Sequence, residues 1–311
     1  MKLLIAYDGS RCSEAAIDDL QRAGLPSEGE AIVVSVAEVW LPPQDGAAAN
    51  GETDPYIAKI VKRSREKGER ALSEASTFAK HAETRLRNVL PNWDISARST
   101  YGSPAWEILS VAEEIDPDLI VAGSQGQSAI SRFFLGSISQ KILTEARCSV
   151  RVARGKIDVD PSINRIVIGF DSSKGAKAAV AAVAERRWFA GSEVKLVSVT
   201  DPVSPTAIGR FLPPIADAVK EVNETEREWI EKMAVEAITE LEHSGLSASL
   251  AIVSGNPKEL LPEVAEEWNA DSIFMGANAF GSPLERYLIG STSSAVAARA
   301  HCSVEVIRTR A

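Results

Sequence analysis

The sequence predicts an α/β protein made of two tandem doubly wound domains, each a five-stranded parallel sheet of the Rossmann-like type. Three observations carry that prediction. Short Ile/Val/Leu-rich runs alternate with longer amphipathic stretches along the whole chain, the pattern of right-handed βαβ units. The apolar runs are continuous rather than alternating, as in strands covered on both faces. And the second half of the 311 residues restates the first, which fixes the organisation before any local assignment.

The repeat is ordered. KLLIAYDGS (Lys2–Ser10) answers RIVIGFDSS (Arg165–Ser173), placing Asp8 opposite Asp171 at an offset of 163. AIVVSVAEV (Ala31–Val39) answers VKLVSVTDP (Val194–Pro202) at the same offset, with Val36 opposite Val199. Gly102-Ser103-Pro104 answers Gly255-Asn256-Pro257 and DLIVAGS from Asp118 answers DSIFMGA from Asp271, both at 153. CSVRV from Cys148 answers CSVEV from Cys302 at 154. The first copy is therefore ten residues longer between Val36 and Gly102, and the Pro/Gly/Ala-rich stretch Leu41–Gly51 accommodates the surplus. The join falls near Gly155–Ser162, giving domains of residues 1–155 and 163–311.

Within the first copy the elements follow in order. A strand at 2–7 is followed by a helix at 12–23, a strand at 31–38 and a long helix at 54–89 that Pro91 ends. A strand at 94–100, a helix at 104–115, a strand at 118–123, a helix at 137–147 and a strand at 148–153 complete it. Pro104 and Pro257 stand where a first helical turn tolerates proline.

Composition narrows the function. Apolar residues at 45% and charged residues at 25% fit a globular protein. No window nears the roughly 18 consecutive apolar residues of a membrane-spanning helix, and Tyr7-Asp8-Gly9-Ser10 cuts short the apolar N-terminus, so a cytoplasmic protein without a membrane partner is expected. Three scattered cysteines and three scattered histidines supply neither a disulfide framework nor a zinc spacing. A net charge of −9 argues against nucleic acid as a partner. A small anion remains open, because backbone N–H groups bind phosphate locally.

Ligands of doubly wound sheets sit at the carboxyl ends of the strands. Asp8 and Asp171 close the first strand of each copy; each either hydrogen-bonds a ligand or caps the following helix. The stretch GSQGQSAISRFFLGS follows the fourth strand with the spacing Gly123-x2-Gly126-x9-Gly136-Ser137. Gly123 and Gly126 leave backbone amides open to phosphate oxygens. Gly136-Ser137 starts a helix whose free N–H groups favour an anion. The alternative for such a stretch is a flexible connection with a serine cap.

These residues resemble the universal stress protein family, whose nucleotide-binding members carry G-x2-G-x9-G-(S/T). The strand-one aspartate, Val36 and the G-x-P before the third helix fit the same family, and the resemblance spans both copies. It implies an adenosine pocket formed by Asp8 and the backbone at Val36. Phosphates would lie on Gly126, Gly136, Ser137 and Ile138, with Gly123 and Ser124 near the ribose. The implied ligand is ATP with a divalent cation, Mg2+, and the implied role is nucleotide-dependent regulation in a stress response, with hydrolysis slow or absent. The second copy departs from the pattern: Gly276 to Gly290 spans 14 positions where Gly123 to Gly136 spans 13, and Ala279 replaces the second glycine unless Gly281 slips into its place. Asp171, Val199, Gly276, Gly290 and Ser291 persist there as a weaker candidate site.

Two other functions stay open, a slow ATPase or phosphotransfer enzyme and a scaffold or chaperone-like protein with a vestigial pocket. There is no G-x-x-x-x-G-K-[ST], no serine–histidine constellation and no second carboxylate beside the phosphate loop, so efficient catalysis is not expected. The family pairs domains through their last strands. Val150–Val152 and Val304–Val306 are the candidates for an intramolecular pseudo-dimer, with the opposite charges of Arg151 and Glu305 expected to help the unlike halves meet, though as a surface pair of small worth on its own; a homodimer of the whole chain is left open. Cys12 reads as a small core residue, Trp188, Trp229 and Trp268 as helix packing residues, and Lys62–Arg70 as a solvated face of mixed sign. Thr200–Pro214, with four prolines, either covers the second pocket or is a surface loop.

Overall fold

The computed structural model describes residues 1–40, 55–125, 135–154, 163–201, 213–277 and 289–309. The first half runs β1 (Lys2–Ala6), α1 (Arg11–Asp19), β2 (Glu30–Ala37), α2 (Pro55–Val89), β3 (Asp94–Tyr101), α3 (Pro104–Ile115), β4 (Leu119–Gly123), α4 (Ser137–Glu145) and β5 (Ser149–Ala153). The second runs β6 (Arg165–Gly169), α5 (Lys174–Ala184), β7 (Glu193–Thr200), α6 (Pro213–His243), β8 (Ser247–Ser254), α7 (Pro257–Glu267), β9 (Ser272–Gly276), α8 (Ser291–Arg299) and β10 (Ser303–Ile307). The alternation matches the sequence pattern, with two helix ends trimmed: the first helix stops at Asp19, where a 3₁₀ turn, Leu20–Arg22, finishes it, and the helix expected at 137–147 stops at Glu145.

Local chemistry sets the boundaries. Ser10 and Ser173 start α1 and α5, each hydroxyl accepting from the N–H three residues on at 3.2 and 3.1 Å. Pro104 and Pro257 occupy first turns, where no N–H is needed. Asp116 turns left-handed at φ 47° and ends α3.

The strands form one ten-stranded sheet in the order β3-β2-β1-β4-β5-β10-β9-β6-β7-β8. Within each half all neighbours are parallel, and strand order switches between β1 and β4 and between β6 and β9. The halves meet where β5 and β10 pair antiparallel, with Val304 opposite Val152, Glu305 opposite Arg151 and Val306 opposite Val150. Helices α1 and α2 pack over Leu3 and Ile5, and α5 and α6 over Ile166 and Ile168. On the opposite face α3, α4, α7 and α8 share a single core through Val150, Val152, Val304 and Val306. The joint is thus continuous hydrophobic interior.

That burial corrects the surface reading of Arg151 and Glu305. Both are 0% exposed. Arg151 donates from Nε to Asp19 at 2.6 Å and from Nη1 to Glu305 at 3.2 Å. Arg186, in the turn after α5, closes on the other side of Glu305, one contact measuring 2.9 Å. Charges of this kind persist inside only when paired and hydrogen-bonded, and the four alternate in sign from Asp19 to Arg186. Two further arginines clasp the halves reciprocally. Arg154 donates to the Ala298 and Ala300 carbonyls at the end of α8, and Arg308 donates to the Leu143 carbonyl of α4 at 2.6 Å. Each satisfies last-turn carbonyls that have no helical partner.

Of the three tryptophans read as packing residues, Trp188 and Trp268 pack against the core, and Trp229 does not. Trp229 is 53% exposed on α6. Trp188 lies beyond the end of α5 and meets the Phe274 ring edge-on at 6.0 Å. Trp268 caps α7, with the Lys195 ammonium 4.3 Å above its ring.

Candidate functional site

At the carboxyl ends of β1, β2 and β4 the first half opens into a cavity of about 790 Å³, within the range of small-molecule sites. The parallel strands bring their ends together here, and the β1/β4 switch in strand order leaves the crevice between the flanking helices. Of the residues singled out in the first half, Asp8, Val36, Gly123, Gly136, Ser137 and Ile138 all line it. Ser124 does not. Its N–H donates to the Ala153 carbonyl at 3.1 Å, and its carbonyl accepts from the Gly136 N–H at 2.8 Å, so its backbone ties β4 to β5 and to the start of α4. Gly126 lies outside the described residues, as do Ala279 and Gly281 of the second half.

The alternatives for Asp8 separate. Ser10 is the cap of α1, while Asp8 accepts the Ser10 N–H on Oδ1 at 3.0 Å and lines the cavity. A hydroxyl and a carboxylate thus divide the two tasks. Gly123 has a packing reason beyond ligand approach: a Cβ there would stand 2.7 Å from the backbone C and O of Cys12. Only glycine lets the end of β4 touch the start of α1. Gly136 caps α4 without a side chain, so the first-turn amides of Ser137 and Ile138 present the positive end of the helix at the cavity wall.

Four features escaped the sequence reading. Ser139 donates to the Gly123 carbonyl at 2.6 Å and pins α4 to the end of β4. Ser293 repeats this toward Gly276 at 2.8 Å, and the signal was the recurrence of G-S-x-S at Gly136–Ser139 and Gly290–Ser293. Helix α2 supplies a wall of Ala71, Ala75 and Phe78. Glu38 and Glu74 also line the cavity, so Asp8 is accompanied by two carboxylates that the linear spacing did not reveal. Finally, the Tyr7 hydroxyl donates to Glu14 and meets His81 Nδ1 at 3.2 Å, with Arg85 3.0 Å from Glu14. Burial, then the bond to Glu14, pushes the Tyr7 hydroxyl's pKa well up, so it stays a donor and fixes the strand end that carries Asp8. Among the described residues no three His, Cys, Asp or Glu side chains converge as a metal site.

The second half repeats the frame. Asp171 accepts the Ser173 N–H at 3.0 Å, and Gly290 caps α8 while donating to the Ala277 carbonyl at 2.6 Å. Val199 is half-buried against the shared core, Ser291 opens α8, and Gly276 presses against Gly175, whose carbonyl carbon a Cβ would approach to 2.4 Å. Asp171 is exposed, whereas Asp8 is half-buried. Ser172 takes the left-handed conformation (φ 60°) that Gly9 provides in the first half, a strained setting for a side-chain-bearing residue.

The model of the universal stress protein family matches the chain twice, over residues 1–154 and 162–308. The chain belongs to the universal stress protein family. It is a tandem member with two such domains in one polypeptide. Among curated relatives, a universal stress protein of Staphylococcus aureus (strain USA300) is 28% identical over 153 residues, covering 49% of this chain and 82% of that protein. A universal stress protein from Archaeoglobus fulgidus DSM 4304 superposes with a TM-score of 0.55 at 22% identity, covering 99% of this chain and 96% of that one. One from Pseudomonas aeruginosa UCBPP-PA14 reaches 0.58 at 15% identity, over 98% and 92%. At such identities the two structures speak for the universal stress protein fold alone. Among the described residues no helix is long and apolar enough to cross a membrane.

Proposed function

We propose that the first domain binds an adenine nucleotide, ATP in the first instance, and that the protein acts in the cytoplasm as a nucleotide-dependent regulatory protein of the stress response. The observation that carries this reading is the convergence of Asp8, Val36, Gly123, Gly136, Ser137 and Ile138 on one cavity from four separate segments. The base fits between the end of β2 and the apolar wall of Ala71, Ala75 and Phe78, with the Val36 backbone at its polar edge. Asp8 accepts from ribose hydroxyls. The start of α4 receives the phosphates through backbone amides. Mg2+ fits as the nucleotide's counter-ion: phosphate oxygens provide most of its ligands, and at most one or two carboxylates, from Asp8, Glu38 and Glu74, need add to them.

The test is direct. Nucleotide is extracted from the purified protein, affinity for ATP and adenosine is measured by calorimetry, and ADP release is followed over hours. Tight binding with turnover slower than about one per minute supports a binding protein, and faster turnover makes it an enzyme. Neither carried nucleotide nor measurable affinity leaves a scaffold with a vestigial pocket.

A further inference from the structure

The sheet ends in two edge strands, β3 and β8, whose single neighbours are β2 and β7. They are the same element of the two halves, DISARSTY (Asp94–Tyr101) and SASLAIVS (Ser247–Ser254), and they align residue for residue. An edge strand displays a row of N–H and C=O groups that can pair with another chain, and proteins ordinarily guard it with charge. β3 is guarded: Asp94 and Arg98 are exposed on it, and Arg98 reaches Glu114 at 2.8 Å. The corresponding positions of β8 are Ser247 and Ala251, and no residue of that strand is charged.

The unguarded edge is also apolar. Leu250, Ala251, Ile252 and Val253 are each half-buried. Leu250 lies against the core beneath α5 and α6, and Ala251 and Val253 against the core shared by the two halves. A neighbouring strand would finish covering them.

Backbone direction fixes which ladder groups face outward. Ser247 donates its N–H to the Ser192 carbonyl at 3.2 Å and Gly255 to the Thr200 carbonyl at 2.8 Å, both toward β7. Successive residues of a strand turn these groups to alternate sides, so Ala248, Leu250, Ile252 and Ser254 turn theirs away from β7. Among the described residues none of these four outward sets meets a backbone partner.

The outward row is self-complementary. About a two-fold axis perpendicular to the sheet at Ala251, Ala248 meets Ser254 and Leu250 meets Ile252, twice each, closing about eight backbone hydrogen bonds. Ala251 faces Ala251 at the non-hydrogen-bonded centre, where side chains come closest. The same register on β3 would set Arg98 against Arg98, and like charges directly opposite destabilise a strand pair. The chain already uses this arrangement once: β5 and β10 pair antiparallel, with Arg151 opposite Glu305.

We propose that β8 is the docking strand for β8 of a second copy of this chain, so that one sheet runs through both copies. The contact uses the same strand on each side and therefore closes at a dimer, while the charges of β3 keep the other edge from extending it.

The test is sedimentation velocity of the full chain, wild type against Ala251→Arg and Ala251→Glu, with circular dichroism to follow folding. Wild type is expected to dimerise. Each variant alone sets like charges face to face at the axis, and each is expected to stay monomeric at concentrations where wild type is dimeric. An equimolar mixture of the two is expected to regain the dimer, because a guanidinium then faces a carboxylate as Arg151 faces Glu305. Hydrogen exchange of wild type decides the matter if either variant fails to fold: the amides of Leu250 and Ile252 should slow as concentration rises, and those of Ala97 and Ser99 on β3 should not. A wild type that is monomeric at every concentration, a dimer that both variants leave intact, or a mixture that stays monomeric overturns the proposal. So does protection that grows with concentration on β3 in place of β8.

Discussion

Exchanging the two central charges of the joint, Arg151→Glu with Glu305→Arg, separates a specific buried network from an ion pair of no consequence. The exchange keeps the 151–305 pair itself. It fails on the flanks. The new carboxylate at 151 faces Asp19, which now bonds Arg151 at 2.6 Å, and the new guanidinium at 305 faces Arg186, now 2.9 Å from Glu305. Both sites are closed to water, as 0% exposure of Arg151 and Glu305 requires. Breaking one buried pair by leaving a charge uncompensated costs about 3–5 kcal/mol, so two like-charge flanks put the expected loss near 6–10 kcal/mol, close to the whole stability of a domain. Urea unfolding followed by circular dichroism is the assay. The exchange is expected to lower the midpoint sharply and to split unfolding into two transitions, because the joint no longer couples the halves. Replacing the whole network at once, Asp19→Leu, Arg151→Met, Glu305→Leu and Arg186→Met, should instead leave stability level or raise it by about 1–4 kcal/mol. An exchanged protein with the wild-type midpoint refutes the reasoning.

Other outcomes follow from the cavity. Gly123→Ala should cost about 1–3 kcal/mol in thermal unfolding, since the added methyl meets Cys12 backbone at 2.7 Å and backbone cannot yield as a side chain can. Ser139→Ala removes the 2.6 Å bond to the Gly123 carbonyl; it should cost about 1 kcal/mol of stability and weaken ATP more than adenosine in calorimetry, because it loosens the start of α4. Phe78→Ala should weaken ATP and adenosine by the same factor, as a wall for the base does; a loss confined to ATP would place the base elsewhere.

The fold was legible because its signals are local or repeated. Continuous apolar runs such as LIVAG at β4 and SIFMG at β9 announce covered parallel strands, and the shared VSV of β2 and β7 aligns the halves without any structure. The cavity was half legible. Residues just past strand ends, Asp8, Val36 and Gly136, follow from topology, whereas Phe78 and Glu74 sit on a helix some forty residues from the nearest of them, and nothing in their spacing marks one wall. The pairing of Arg151 with Glu305 could be read from opposite charges at matching positions. Its burial could not, because Asp19 and Arg186, which make burial tolerable, come from α1 and the turn after α5. Trp229 was misread for a different reason: it adjoins the buried Ile230 but points from another side of α6, and its size alone suggested a packed face.

Nucleotide stoichiometry tests the central claim most directly. Calorimetric titration of the whole chain with ATP and Mg2+ should find one strong site in wild type, absent in Asp8→Ala and in Gly126→Val while the fold is kept. Two equal sites in wild type with one surviving both substitutions, or no site at all, would contradict a working pocket confined to the first domain.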